Sequence, residues 1–188
     1  MKLFCPSQNI LEKICKDSRI PLIQYEIYPR INNILDMENL AIVLSGLKNK
    51  LCEFYKIGYD KTERKRIFLS KVFNVVGESL KNCYDHGKDK EITFGLFLGD
   101  KGVCYGFNNG SNYFKDEKIK HQYENKIKIT EFDRKTLKTN CQVGVNYFIY
   151  PNSDFIEVDA ETGTLFCAQF KKNIIAPKGE DGEKYFCK

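Results

Sequence analysis

The sequence has no C-x-x-C pair, only two histidines and no apolar run approaching the length of a membrane span. Each absence removes a class of protein. Structural zinc needs closely spaced thiolate and imidazole ligands. Here Cys5, Cys15, Cys52, Cys83, Cys104, Cys141, Cys167 and Cys187 are spread widely, and His86 and His121 are the only imidazoles. The same spacing speaks against a disulfide framework. It points to free thiols, several of them buried, in a reducing compartment. A membrane-spanning helix needs roughly 20 consecutive apolar residues, and none is present. The first residues, Met1-Lys2-Leu3-Phe4-Cys5-Pro6, lack the long apolar stretch of a secretion signal. A cytoplasmic protein with no membrane partner is therefore the expectation. No internal repeat is visible.

What is present is ordinary for a globule. The chain has 188 residues, 42% hydrophobic and 29% charged, which excludes disorder, collagen-like repeats and a coiled coil. A chain of this size can bury roughly 70% of its unfolded surface, enough for one core. The net charge of +5 is modest for a nucleic-acid binder, and no reader motif accompanies it. Most of the 11 tyrosines and 14 phenylalanines fall at alternating core positions, so nucleic acid is not the expected partner.

Hydrophobic periodicity sets the elements. Ser7 can cap a short helix to Lys16 with Ile10, Leu11, Ile14 and Cys15 on one face. Ile23, Tyr25 and Ile27 alternate with Gln24 and Glu26, a half-buried strand stopped by Pro29. Asp36 can cap a helix to about Tyr55, with Leu40, Val43, Leu44, Leu47, Leu51 and Phe54 at helical spacing. A second long helix starts at the Asp60…Glu63 signal, carries Phe68, Leu69, Val72, Phe73, Val76, Leu80 and Cys83, and stops at Gly87. Strands follow at 92–98 and 103–107, joined by Gly99-Asp100-Lys101-Gly102. A lysine-rich stretch, Lys115 to Lys138, reads as a loop with room for a short helix. Phe155–Asp159 and Thr164–Phe170 read as a closing strand pair, and the tail from Lys171 is polar. Tight turns between strands imply antiparallel pairing. The fold class is α+β: a two-layer α/β sandwich of mixed, mainly antiparallel sheet with helices on one face. The organisation is an N-terminal helical extension (1–20), a domain (21–170) and a tail (171–188).

The second long helix carries a polar stripe. Glu78, Asn82 and Asp85 stand at i, i+4 and i+7, opposite Val72, Val76, Leu80 and Cys83. Taken alone, such a stripe is a solvated helix face. Its sequence context says more. Glu78-Ser79-Leu80-Lys81-Asn82-Cys83-Tyr84-Asp85-His86-Gly87 reads E-x-x-x-N-x-x-D-H-G at a helix end. This resembles the N box of the GHKL ATPases, which share the Bergerat fold, and looks most like that of their anti-sigma serine kinases. The resemblance implies ATP and magnesium as cofactors, Glu78 as general base and Asn82 as magnesium ligand, with Asp85 beside the nucleotide. Downstream, Asn108-Asn109-Gly110 stands at the D-x-G box that holds adenine, with Asn108 in place of the aspartate and Gly110 as the glycine. Gly144-Val145-Asn146 stands at the second glycine box, with one glycine replaced by Asn146. Gly163-Thr164 resembles the closing G-T, whose threonine backs the adenine-binding acid. The loop between the glycine boxes corresponds to the ATP lid, where Lys115, Lys118, Lys120, Lys126 and Lys128 could neutralise phosphates or be solvated. The resemblance spans roughly Leu22 to Phe170.

The resemblance implies an ATP-binding domain that passes the γ-phosphoryl to a protein serine or hydrolyses ATP. The alternative is a regulatory module of the same fold that binds a protein partner without turnover, which Asn108 and the reduced second glycine box favour. The partners implied are a nucleotide and a protein phosphoacceptor or binding partner. Self-association as a homodimer is left open by the sequence.

Overall fold

A computed structural model describes residues 3–17, 20, 22–29, 37–57, 62–86, 91–110, 112–128 and 144–171. The elements are α1 (Gln8–Ile14), β1 (Leu22–Pro29), α2 (Met37–Phe54), α3 (Thr62–His86), β2 (Glu91–Leu98), β3 (Gly102–Asn108) and α4 (Glu117–Glu124). A helical run at 144–152 (α5) is π-wound over Val145–Ile149 and α-helical at Tyr150–Asn152. β4 (Phe155–Asp159) and β5 (Thr164–Phe170) are the last of the described strands. The expected Asp36 cap, the Asp60 start signal, the Gly87 stop and the polar tail beyond Lys171 lie outside the described residues.

The protein is α+β. The five strands among the described residues form one sheet in the order β1-β2-β3-β5-β4. The expected mixed sheet is in fact antiparallel at each of these four pairings. Short turns account for two of the four: Gly99–Lys101 between β2 and β3, and 160–163 between β4 and β5, leave no room for a parallel crossover. β3 lies at the centre and is buried along its whole length.

Side chains alternate across the sheet, so each face builds its own core. On one face Leu96, Leu98, Tyr105, Leu165 and Cys167 meet Leu47, Leu51, Val72, Val76, Leu80 and Ile149. This is the layer of α2 and α3, joined at its end by Ile119 and Tyr123 of α4.

The other face is covered too, which corrects the expectation that helices occupy one face only. Phe4, Ile10, Ile14 and Cys15 pack there on Phe97, Cys104, Phe166 and Ala168. Phe4 lies in a hollow made by the cross-strand pair Gly95 and Gly106. A Cβ at Gly95 would come within 2.8 Å of the Phe4 ring, and one at Gly106 within 2.5 Å. The ring meets Tyr25 and Phe166 edge-on at centroid distances of 5.5 and 5.7 Å, and the Tyr25 hydroxyl donates to Phe4 C=O. Ser7 caps α1 and also donates, through its backbone N–H and its hydroxyl, to the Glu157 carboxylate on β4.

Among the described cysteines all are free thiols, and only Cys5 is exposed. No described helix is long and apolar enough to cross a membrane.

Candidate functional site

The residues singled out in the sequence fall into two groups at the ends of α3, β3, α5 and β5. The first group is on α3. Val72, Val75, Val76, Leu80 and Cys83 are buried against the sheet. Glu78 and Asn82 are therefore turned to the helix flank, where both are half-buried, and Asp85, near the last turn, is exposed. Burial, more than any other cause, raises the Glu78 carboxyl above its ordinary value. Lys81 opposes this and the negative charge of Asp85 adds to it. Asn82 Nδ2 is buried and has no hydrogen-bond partner among the described residues.

Gly144, the first residue of α5, lies directly on Glu78. A Cβ at residue 144 would fall on the Glu78 carboxylate. The Gly144 backbone is right-handed helical, φ −60° and ψ −47°, a conformation any residue adopts. A side chain here would require the end of Glu78 to swing aside, so it is the absence of a Cβ that lets the carboxylate lie where it does. Asn146 is half-buried on the same first turn. The π-wound stretch that begins beside Glu78 is a rare helical form, found mostly as single turns and frequently at functional sites.

The second group joins β3 to β5. Asn108 and Thr164 are partners in the strand register and are buried. Asn108 Nδ2 donates to Thr162 C=O at 2.8 Å and to Thr164 Oγ1 at 2.9 Å. Asn108 Oδ1 accepts the Gly110 N–H at 3.1 Å. Gly110 sits at φ 67°, where glycine carries no steric cost. Beyond Thr164 the hydroxyls continue: Thr164 and Thr162 Oγ1 are 2.7 Å apart, and Thr162 Oγ1 donates to the Asp159 carboxylate. The carboxylate only accepts, so the direction of the whole chain is fixed. Thr162 donates to Asp159, Thr164 donates to Thr162, and Asn108 donates to Thr164. Both hydrogens of the Asn108 amide are thereby used, and its oxygen faces Gly110.

The two groups are linked by Asn109. It is buried, and its Nδ2 donates to Cys83 C=O on α3 at 3.4 Å.

The lysines divide. Lys115, Lys118 and Lys128 are exposed. Lys126 is half-buried; its ammonium donates to Ser153 C=O, and burial lowers its basicity. It anchors the end of α4 to the start of β4, a role for which the sequence carried no signal. Lys120 lines a cleft of about 570 Å3 at the β4 edge, with Cys5, Ser7, Glu124, Glu157, Asp159 and Glu161. Three of those carboxylates are already engaged: Glu157 by Ser7, Glu124 by Val158 N–H, and Asp159 by Thr162 and Glu161 N–H. Residues 129–143, the centre of the expected lid, lie outside the described residues.

Sequence reasoning also missed the polar layer beneath α3. The Cys167 thiol, pushed up to about 12 by burial, lies near the Ser79 and Ser153 hydroxyls and Lys126, all of which draw it down. Gln169, next along β5 on the same face, is buried and bonded to three elements. No motif marks either residue; only the inward phase of β5 could have indicated them.

No protein-family model matches the chain, and no curated protein matches it.

Among the described residues no cluster of three or more His, Cys, Asp or Glu could cage a metal ion. Magnesium bound between phosphates needs no such cage, because it keeps several waters and takes one or two protein oxygens. The Glu78–Asn82–Asp85 stripe, with an Asn82 amide not committed through its nitrogen, fits that lesser demand.

Proposed function

We propose that the chain is an ATP-binding domain of the GHKL type, with the Bergerat fold, and most like an anti-sigma serine kinase. It binds Mg-ATP against α3 and passes the γ-phosphoryl to a protein serine or to water. The observation that carries this reading is the placement of Gly144 on the Glu78 carboxylate. Two residues far apart in the chain, each picked from a separate short motif, meet at one point. The element order of strand, two helices, strand pair, helices and closing strand pair, and the pairing of Asn108 with Thr164, support it further.

In this reading Glu78 is the base. A half-buried carboxyl with a raised pKa is a better proton acceptor at neutral pH than an exposed one. It would take the proton of the attacking hydroxyl or water. Asn82 Oδ1 would hold the magnesium, which when bound supplies charge neutralisation at the phosphates. Catalysis of this class rests on positioning and electrostatics, and the rigid backing of α3 by the sheet gives Glu78 its position.

One observation favours a second reading, a binding module without turnover. Asn108 spends both donors on Thr162 and Thr164, so the residue at the adenine position serves the fold first. A thermal-shift titration separates the readings. A ligand at 100 times its Kd adds about 2.7 kcal/mol. Stabilisation by Mg-ATP that is lost in Asn82→Ala supports the nucleotide site, and turnover lost in Glu78→Ala with binding kept supports catalysis. No shift at millimolar Mg-ATP or Mg-ADP leaves the module.

A further inference from the structure

Gln169 lies on β5, five residues along from Thr164, and is 1% exposed. Its Nε2 donates to two backbone carbonyls on different elements, Lys71 O of α3 at 3.0 Å and Asn152 O of α5 at 2.7 Å. Its Oε1 accepts from the fully buried Tyr105 hydroxyl at 3.0 Å. All hydrogens of one side-chain amide are therefore directed, and the amide cannot flip without leaving two carbonyls facing an oxygen.

The places it grips are informative. Lys71 is two helical turns before Glu78 on the same stripe of α3. Asn152 is the last residue of α5, whose first is Gly144. Glu78 meets Gly144 at one end and Lys71 faces Asn152 through Gln169 at the other, so α3 and α5 run in opposite directions side by side. The two points of attachment are about 10 Å apart along α3, at 1.5 Å per residue. Two contacts at that separation define how far one helix can slide along the other. One of them is a carboxylate resting on a glycine, which has no directional bond in it. The other is a pair of hydrogen bonds with fixed geometry, the stiffer of the two.

From this geometry we infer that Gln169 is a positioning residue: by clamping Lys71 C=O and Asn152 C=O with one amide, it sets the register of α3 against α5 and so the seat of Glu78 on Gly144. Its role in turnover rests on the nucleotide reading above; its role in placing Glu78 does not.

The test uses the full chain labelled with nitrogen-15, with the Gly144 amide resonance assigned by its loss in Gly144→Ala. Glu78→Gln changes the group lying on Gly144 and gives the reference displacement. Gln169→Leu, which fills the space without donors, is expected to move the Gly144 resonance from its wild-type position. The double variant Glu78→Gln/Gln169→Leu is expected to depart from the sum of the two single displacements. Gly144 held at its wild-type position in a folded Gln169→Leu chain, whatever its loss in urea resistance, would overturn the inference and leave Gln169 a structural bridge. Should Gln169→Leu not fold, Gln169→Met, which keeps the unbranched length of the side chain without its donors, is used and the same displacement is read. In a second arm, kcat for Mg-ATP falls about tenfold in Gln169→Leu with KM within about twofold; an unchanged kcat overturns the inference. If the wild-type chain shows no turnover, the catalytic part of that reading fails and the resonance arm alone decides the positioning role.

Discussion

Replacing Asn108 by aspartate would install the residue that the GHKL pattern has at this position, and on the proposed reading that would be a repair. The hydrogen-bond chain predicts damage. Asn108 Nδ2 is 2.8 Å from Thr162 C=O and 2.9 Å from Thr164 Oγ1. A carboxylate has no hydrogen for either. Thr164 could reverse its hydroxyl and donate to the introduced carboxylate, but Thr162, 2.7 Å away, would then lose its incoming bond unless it turned from Asp159. One hydrogen bond of the chain is lost in every arrangement, and Thr162 C=O is left facing an anionic oxygen. A lost bond costs about 1 kcal/mol and a part-buried acceptor without a donor about 1–3 kcal/mol. The expected destabilisation is therefore about 2–4 kcal/mol, or roughly 4–16 °C in Tm for a chain of this length. Urea unfolding with an unchanged m-value measures it. The sign with pH follows from the proton. Once protonated, the introduced carboxyl can donate to Thr162 C=O, so its folded pKa lies above the unfolded value of about 3.9. The deficit is full above the folded pKa and shrinks as pH falls below the unfolded one, to the one hydrogen bond that a single proton cannot replace. An Asn108→Asp chain as stable as wild type at pH 7 would refute the reasoning.

Three other outcomes follow from the same contacts. Gly144→Ala should remove Glu78 from its seat and abolish turnover, although alanine suits a helix better by up to about 1 kcal/mol; combined with Glu78→Ala, which vacates the space, it should be less destabilising than the sum of the single changes, as a double-mutant cycle reports. The Glu78 carboxyl is raised from an ordinary value of 4.5, so the folded state binds its proton more tightly and stability falls as pH rises through the window above 4.5. Glu78→Gln should then be more stable than wild type at pH 7 and lose that advantage near pH 4 in parallel urea titrations. Phe4→Ala empties the hollow over Gly95 and Gly106 and should cost about 3–5 kcal/mol, measured by chemical denaturation; a loss under about 1 kcal/mol would mean that the N-terminal segment does not seal that face.

The elements were legible because they depend on local pattern. β4 and β5 lie at the expected residues, and α2 and α3 begin and end within a residue or two of their expected positions. Period-2 and period-3.6 alternation of apolar side chains carries that information in a few neighbouring positions. The helical run at 144–152 was less legible: Tyr147 and Phe148 are exposed, so its apolar residues do not mark a single buried stripe. The second covered face was also missed. A seven-residue helix has too little pattern to say which side of a sheet it joins, and the hollow for Phe4 exists only once Gly95 and Gly106 are placed side by side.

By itself, the sequence determined the strands, the long helices and the polar stripe of Glu78, Asn82 and Asp85, since these follow from neighbours within a turn or a pleat. It could not determine what each polar group bonds to. Whether Asn108 faces a ligand or a carbonyl, what the bare backbone at residue 144 makes room for, and which elements Gln169 ties together were decided by tertiary structure alone. The reason is physical: a hydrogen bond or a close contact acts over about 3 Å, and only the folded chain brings residues so distant in sequence within that range.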